Sequence, residues 1–491
     1  MYDIGIDLGT SAVKLLLMEE DGTVKKIVSR TYPISFPRPG WSEQNPEDWW
    51  QATVEGIQAL TEGVDKTQIA GIGAGGQMHG LVALDREDRV IRPAILWNDG
   101  RTARQVEYLN ETVGRDFLSR HTANIAFAGF TAPKLLWMRE QEPENFRKIC
   151  KIMLPKDYIN YRLTGVHCTD YSDASGTLLL DVEHRRWSPE MLELCGLRED
   201  QLPRLYESYA PVGHLLPQIA RQLGLPEQVV VAAGAGDNAA AAVGTGTLGE
   251  GSCNISLGTS GTIFISSEQF RVDQHNALHA FAHADGGYHL MGCMLSAASC
   301  NQWLCDKILC TTDYAAEQRQ IAPEALGRNH VYFLPYLMGE RSPINDTDAR
   351  GTFVGMTMDT SRSDLVQAVL EGVSFGIRDS FEVAKSLDIP IRSSKICGGG
   401  GKSPLWRQIL ANVLGIRLEV VACEEGPGYG GAILAAVARG KFKSVAQATR
   451  KLVRVVDTVK PDPALTQRYE ERYGQFRQIY PCLKGLFPRL L

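Results

Sequence analysis

The chain has no run of basic residues and no basic tail. Its 51 Lys and Arg are outnumbered by 57 Asp and Glu, for a net charge of −6. The electrostatic footprint of a nucleic-acid partner is therefore missing. Long apolar runs are missing too. The most apolar stretch, VVVAAGAGDNAAAAVGTG (229–246), is broken by Asp237 and many glycines. It reads as strand, turn and small-residue helix, not as a membrane span. Met1-Tyr2-Asp3 leads straight into a strand pattern, without the charged and apolar regions of a secretory signal. The 11 cysteines are odd in number and scattered. That fits reduced thiols in a cytoplasmic protein better than a disulfide framework. No segment is of low complexity.

What the chain does have is length. Its 491 residues exceed one ordinary core, and an apolar content of 44% is enough for large ones. Strand signals at 3–8, 12–18 and 24–30, parted by Gly9-Thr10-Ser11 and Asp21-Gly22, predict a β-meander. NPEDWWQATVEGIQALTE predicts a helix with Asn45 as N-cap and Pro46 at its first position. A strand at 69–74, a hairpin around Arg86-Glu87-Asp88 and helices from 101 and 132 follow. The second half repeats the order: strands around 258–261 and 289–293, helices at 296–309 and 363–387, then strand-turn-helix units at 393–414 and 417–438. The boundary is expected in the glycine-rich stretch near 245–252.

The repeat has a signature. Leu-Gly-Thr-Ser occurs between β-prone runs in DIGIDLGTSAVKLLLM and again, half a chain later, in CNISLGTSGTIFIS. Two similar α/β domains facing a shared cleft would explain it. Each would offer a tight Gly-Thr-Ser turn whose N–H groups and hydroxyls (Thr10, Ser11; Thr259, Ser260) suit phosphate oxygens. Asp7 precedes the first turn, where a hydrated Mg²⁺ could be held by one carboxylate and the phosphates. Ser256 takes its place in the second copy, which needs only to hold phosphate.

Other glycine patterns mislead. GIGAGG (71–76) and GTGTLG (244–249) fit a dinucleotide fingerprint letter by letter, but neither opens a convincing helix in an early βαβ unit. ICGGGGKS (396–403) fails a P-loop by one glycine, since Ile396 stands where Gly is needed. Nucleotide contact is still expected there, because such a turn lets the backbone approach a base or a phosphate. GPGYGGAILAA (426–436) looks suited to clasping adenine. His275, His279 and His283 would share a face if helical, but their Ala/Phe setting reads as packing. Cys300, Cys305 and Cys310 match no zinc spacing.

For chemistry, Asp237 in AAGAGDNAAAA is the most informative carboxylate. Apolar neighbours disfavour its ionised form and raise its basicity toward a general-base role. An N-cap role is the competing reading. Asn238 offers a donor and an acceptor to a hydroxyl. Gln77 and His79, with Met78 as packing, could hydrogen-bond a sugar. LWNDGRT adds Trp97, Asn98, Asp99 and Arg101, a set friendly to a polyol.

Together these stretches resemble the FGGY family of carbohydrate kinases, within the actin/hexokinase/Hsp70 (ribonuclease H-like) fold group. The resemblance rests on GIDLGTSAVK, GWSEQNPEDWW, GQMHG, PAILWNDGR, FTAPKLLWM, DYSDASGT, GAGDNAA, SLGTSG, FLPYLMGERSP, ICGGGGKSPLWRQILAN and EEGPGYGGAILAA, from residue 4 to about 436. It implies two duplicated domains around a deep cleft, with 1–247 binding sugar and 248–491 binding nucleotide. It implies ATP-dependent phosphorylation of a ketopentose in pentose catabolism. The Met-His pair after Gln77 points to members acting on D-xylulose at its C5 hydroxyl. Another ketose or polyol such as ribulose, and an ATP-driven conformational scaffold, are the alternatives. The resemblance further implies Asp237 as base and Met78, His79, Asp237 and Asn238 at the sugar. Asp7 would lie near Mg²⁺, Thr10 and Thr259 near the phosphates, and Gly399, Gly400 and Lys402 in the nucleotide segment. A homodimer is left open as its assembly. Two positions depart from the family pattern: Gly430-Gly431, where an alanine commonly follows the first glycine, and Ile344, where a polar residue is usual.

Overall fold

The structure, a computed structural model, describes residues 1–490. It opens with three antiparallel strands, β1 (Tyr2–Leu8), β2 (Ala12–Glu19) and β3 (Val24–Thr31). β3 alternates half-buried and exposed residues, as an edge strand with one wet face does. Helix α1 (Pro46–Leu60) starts where its cap predicts: the Asn45 side chain accepts from the Glu47 N–H. β4 (Ile69–Gly76) is buried almost throughout and pairs parallel with β1, the habit of a central strand covered on both faces. Helices α2 (Thr131–Gln141) and α3 (Pro155–Thr164), strand β5 (Val230–Ala232) and helix α4 (Asp237–Thr245) follow. The sheet order is β3-β2-β1-β4-β5, with two more strands: Pro211–His214 outside β5, and Ala235–Gly236 paired with the end of β4.

The second sheet repeats the plan. β6 (Ser252–Leu257) and β7 (Gly261–Ser267) form the hairpin, and β8 (Tyr288–Met294) lies beside β7. The 25-residue helix α5 (Arg362–Ser386) leads to β9 (Ser393–Cys397), which pairs parallel with β6. Helix α6 (Pro404–Leu414) and strand β10 (Arg417–Val421) complete the unit's crossover. The order β8-β7-β6-β9-β10 matches β3-β2-β1-β4-β5 strand for strand.

By packing, the chain forms two compact units. One comprises Met1–Leu248, Ala280–His289 and Glu425–Arg454; the other comprises Gly249–His279, Leu290–Glu424 and Val455–Leu491. Helix α7 (Gly426–Ala438) therefore belongs with the first unit, late as it is in sequence. Its glycines explain how. A Cβ on Gly5 would meet the Gly428 carbonyl at 1.9 Å, one on Gly73 the Gly431 carbonyl at 2.2 Å, and one on Gly430 the Ala240 carbonyl at 1.8 Å. α7 thus lies backbone to backbone on β1, β4 and α4. The reading of 426–436 as an adenine clasp is corrected: its glycines are used for close packing. Gly430-Gly431, the departure from the family pattern, sits at this contact.

The hairpin around Arg86-Glu87-Asp88 forms: Leu84 bridges antiparallel to Val90, and Asp85 gives its N–H to the Arg89 carbonyl, while the strand Val82–Leu84 pairs on its other side with Lys151–Met153. Two local expectations change. The helix at 296–309 breaks after Trp303 into a wider π-helical turn, Leu304–Ile308. His279 lies on a strand, so the three histidines share no helical face. None of the eleven cysteines forms a disulfide among the described residues.

Candidate functional site

In the first unit, polar groups gather at the carboxyl ends of β1 and β4 and at the start of α4. The strand register sets Asp7 between Lys14 on β2 and Gly75 on β4. Lys14 Nζ pairs with Glu425 at 2.7 Å. Asp237 is the first residue of α4, and the N-cap is Gly236, with no side-chain cap. The capping account of Asp237 therefore does not hold. Its Oδ1 accepts from Asn238 N at 2.7 Å and from Asn238 Nδ2 at 2.9 Å, which leaves Oδ2 for a ligand hydroxyl. Burial pushes the Asp237 carboxyl up to about 6, with the Asn238 hydrogen bonds pulling the other way. Asp7 is pushed up to about 7, first by burial and then by the charge of Asp237, with Lys14 opposing and Glu425 adding to the rise. A carboxyl poised near neutrality suits a general base.

The turn Gln77-Met78-His79 continues β4. Gln77 is buried, takes the Leu8 carbonyl with its N–H, and gives its amide to Gln44 Oε1 at 3.1 Å; its own Oε1 has no partner among the described residues. Gln44 in turn gives Nε2 to the Thr10 carbonyl at 2.7 Å, tying this turn to the first Gly-Thr-Ser turn. Met78 is buried against Gly236, where a Cβ would stand 3.0 Å from its sulfur. His79 has φ of 70°, a left-handed backbone uncommon outside glycine. Lys134 Nζ, fully buried, and Thr131 Oγ1 hold its carbonyl at 2.8 and 3.0 Å. Its ring gives Nδ1–H to the Gly176 carbonyl at 2.7 Å and stacks on Phe130. Burial pushes the Lys134 ammonium well below the usual lysine range. Lys134 was not legible as a site residue, since nothing near it in sequence marks a backbone carbonyl needing a donor.

Trp97 is 42% exposed and gives Nε1–H to Thr10 Oγ1 at 2.9 Å. Asn98 and Ser11 are exposed. Asp99 is buried and committed: Ser42 N reaches one oxygen at 2.6 Å, and Arg101 pairs with it at 2.7 Å. Asp99 thus shapes the loop that carries Trp97 and Asn98.

In the second unit, Thr259, Gly399, Gly400 and Lys402 line one cavity of about 1050 Å³. Ser260 is not among its lining residues. Trp406, Leu405, Ile321 and Tyr314 give it apolar walls; Asn301, Gln302, Gln318 and Ser403 give it polar points. That mixture suits a heterocycle with a polar tail. Gly399 is informative. Its φ of −60° and ψ of −42° are open to any residue, and an added Cβ would meet nothing within 4 Å. The fold does not require glycine there, so the space beside its backbone is open to a ligand. Gly398 differs: φ is +85°, and a Cβ would lie 2.7 Å from Leu257. The wall from 314 to 321 carries no motif and went unread in the sequence. Lys402 pairs with Glu424 at 2.9 Å with both side chains about two-thirds exposed, a pairing weak enough to be exchanged for phosphate.

Among the described residues no group of three or more His, Cys, Asp and Glu could hold a resident metal. Mg²⁺ needs less, one or two carboxylates plus phosphate oxygens. Asp7 fits that need: Asp237 and Glu425 add negative charge around it, against the cation of Lys14.

Comparison with known proteins identifies the family. The chain is 43% identical over 493 residues to a xylulose kinase of Escherichia coli (strain K12), covering 99% of this chain and all of that one. The ligand-bound xylulose kinase structure from Lactobacillus acidophilus superposes with a TM-score of 0.94 at 27% identity, covering all of both chains. A gluconate kinase structure from the same organism also gives 0.94, at 26% identity, covering all of this chain and 99% of that one. Models of the N-terminal and C-terminal domains of one family match residues 2–244 and 253–439, and with those two matches the chain belongs to the FGGY family of carbohydrate kinases.

Proposed function

We propose that this carbohydrate kinase transfers the terminal phosphoryl group of ATP to the C5 hydroxyl of D-xylulose, giving D-xylulose 5-phosphate and ADP. Asp237 carries the reading, as a carboxylate raised to about 6 with one oxygen uncommitted. Oδ2 accepts the proton of the hydroxyl as its oxygen attacks the γ-phosphorus, and the bond to the ADP oxygen breaks. Gln77, Met78, His79, Trp97, Asn98 and Asn238 would shape and line the sugar site. Thr259, Gly399, Gly400 and Lys402 would hold the nucleotide, with Ser260 outside the cavity at the exposed end of the turn, and Thr10 and Ser11 would meet its terminal phosphates. Asp7 would hold Mg²⁺, which when bound neutralises charge on the phosphates. Phosphoryl transfer asks mainly for such positioning and charge neutralisation. A cytoplasmic enzyme, where ATP is at hand and thiols stay reduced, is part of the reading.

The backbone does not choose the sugar, since a xylulose kinase and a gluconate kinase match it equally. The choice of D-xylulose rests on the Gln77-Met78-His79 turn and on the much closer identity to the E. coli relative. ADP release measured over a panel of ketoses tests it. A polar group left unpaired by the wrong hydroxyl configuration costs ~1–3 kcal/mol, so D-xylulose should exceed its C3 epimer D-ribulose about 10- to 100-fold in kcat/KM. Equal efficiency for both would defeat the assignment.

A further inference from the structure

Behind the start of α4 lies a charged cluster that the reaction does not use. Lys156, Asp157, Asp170 and Asp173 are all fully buried. Lys156 Nζ pairs with Asp157 at 2.7 Å, with Asp170 Oδ1 at 2.9 Å and with Asp173 at 3.6 Å. The other oxygen of Asp170 accepts from the Ser172 hydroxyl at 2.5 Å, from Ser172 N at 2.8 Å and from the Ser208 hydroxyl at 2.7 Å. Ser172 then turns outward. With its proton given to Asp170, its Oγ accepts the N–H of Gly236 at 3.1 Å. Gly236 is the N-cap of α4, one residue before Asp237, and has no side chain to fix itself. Met78 closes on it from another side.

We propose that Ser172, oriented by the Asp170–Lys156 ion pair, is a positioning residue for Asp237. The proposal rests on Asp237 being the base. A hydroxyl has one proton, so its donation to Asp170 fixes which lone pairs face Gly236. Lys156 holds Asp170 in place in a fully buried setting, where a shift would leave a buried charge unpaired. The cluster thereby sets the entry of the chain into α4, and with it the reach of the Asp237 carboxylate. Misplacement of a catalytic group by about 1 Å is enough for a 10²-fold loss.

Ser208 supplies the control. It bonds the same Asp170 oxygen but its side chain does not reach Gly236. In the full-length protein, Ser172→Ala should lower kcat ~10-fold with the sugar KM within about twofold, because an interaction acting only through the base is lost. Ser208→Ala should keep kcat within about twofold, even where both variants lose similar thermal stability. In an Asp237→Asn background, adding Ser172→Ala should lower the residual kcat no further, the non-additivity of residues acting as a unit. Equal kcat losses for the two serine variants would reduce the cluster to a structural part and overturn the proposal, as would a loss confined to sugar KM or an additive double variant. If Asp237→Asn alone keeps most of its kcat, the base assignment fails instead, and the two failures are told apart.

Discussion

The two Leu-Gly-Thr-Ser hairpins have the same strands, the same parallel neighbour and different chemistry. In the first, Asp7 stands beside Gly75 and opposite Lys14, with the charges of Glu425 and Asp237 close enough to move its titration. In the second, Ser256 stands beside Cys397 and opposite Thr262, with no charged residue at these positions. The turns differ in length as well: Gly9 N reaches the carbonyl of Ala12, whereas Gly258 N reaches that of Ser260. The second turn is tied down through its own backbone, since Thr259 O accepts from Ala297 N at 3.0 Å and from Ser299 Oγ at 2.7 Å. One scaffold was thus used twice, once around acids and once beside a cavity whose charged lining residues, Arg319 and Lys402, are basic. The difference lies in the strand residue before the turn, Asp7 in one copy and Ser256 in the other, and under the proposed function that residue decides whether a cation can share a phosphate held at the turn.

The largest effect should come from the acid half. Asp237→Ala should lower kcat by ~10²–10⁴, the usual contribution of a positioned general base, with ATP binding, proposed for the second unit, retained by calorimetry. A variant keeping more than about a tenth of kcat removes Asp237 from the role.

Breaking the asymmetry comes next. Asp7→Asn should raise the Mg²⁺ needed for half-maximal rate and lower the maximal rate about 10-fold or more, with sugar KM little changed. The converse change, Ser256→Asp, should weaken ATP binding ~10-fold, because the new carboxylate would meet phosphate without a cation of its own. Unchanged Mg²⁺ titration in the first variant, or unchanged ATP affinity in the second, would mean that the two hairpins do not divide the work in this way.

A third pair separates glycines used by the fold from glycines used by a ligand. Gly430→Ala should lower Tm sharply, since the new methyl would overlap the Ala240 carbonyl and such overpacking costs about 1–3 kcal/mol or more. Gly399→Ala should leave Tm unchanged or slightly raised, as its backbone angles are ordinary and its surroundings open, while the ATP KM rises several-fold. A Gly399→Ala variant with normal ATP kinetics would take that turn out of the nucleotide site.

The smallest effects concern pH. As the proposed base, Asp237 must be ionised, so kcat/KM should rise with pH through about 6, and the limb should vanish from the residual activity of Asp237→Ala. Stability should move the other way. Asp237 and Asp7 hold their protons to about 6 and about 7 in the fold, against 3.8 ordinarily. The folded state therefore binds more protons than the unfolded chain between these values, and stability falls as pH rises across that window. Asp7→Asn should flatten part of that fall in a series of thermal melts; an identical slope would show that Asp7 ionises no later in the fold than in the unfolded chain.

Sequence alone was enough for the repeated strand order, because burial patterns and turn residues are local: β1 to β4, α5 and both hairpins appear where their periodicities put them. Asp237 could be singled out because a lone carboxylate among small residues is conspicuous in one dimension. Other features are properties of packing between distant segments. Nothing near Gly430 announces that its Cα passes within touching distance of Ala240, which sent α7 to the first unit and took 426–436 out of the adenine reading. Asp99 is as polar as Asn98 in sequence, but Arg101 takes both of its oxygens and Ser42 N–H shares one of them. Lys134, Ser172 and the wall from 314 to 321 act through backbone groups or cavity shape contributed by remote parts of the chain. The sequence determined which elements form and which carboxylate is chemically unusual, since both depend on neighbours within a turn or two. Only the tertiary structure decided which polar groups are already spent on the fold and which remain for a ligand, because hydrogen-bond satisfaction is settled only when all the partners are in place.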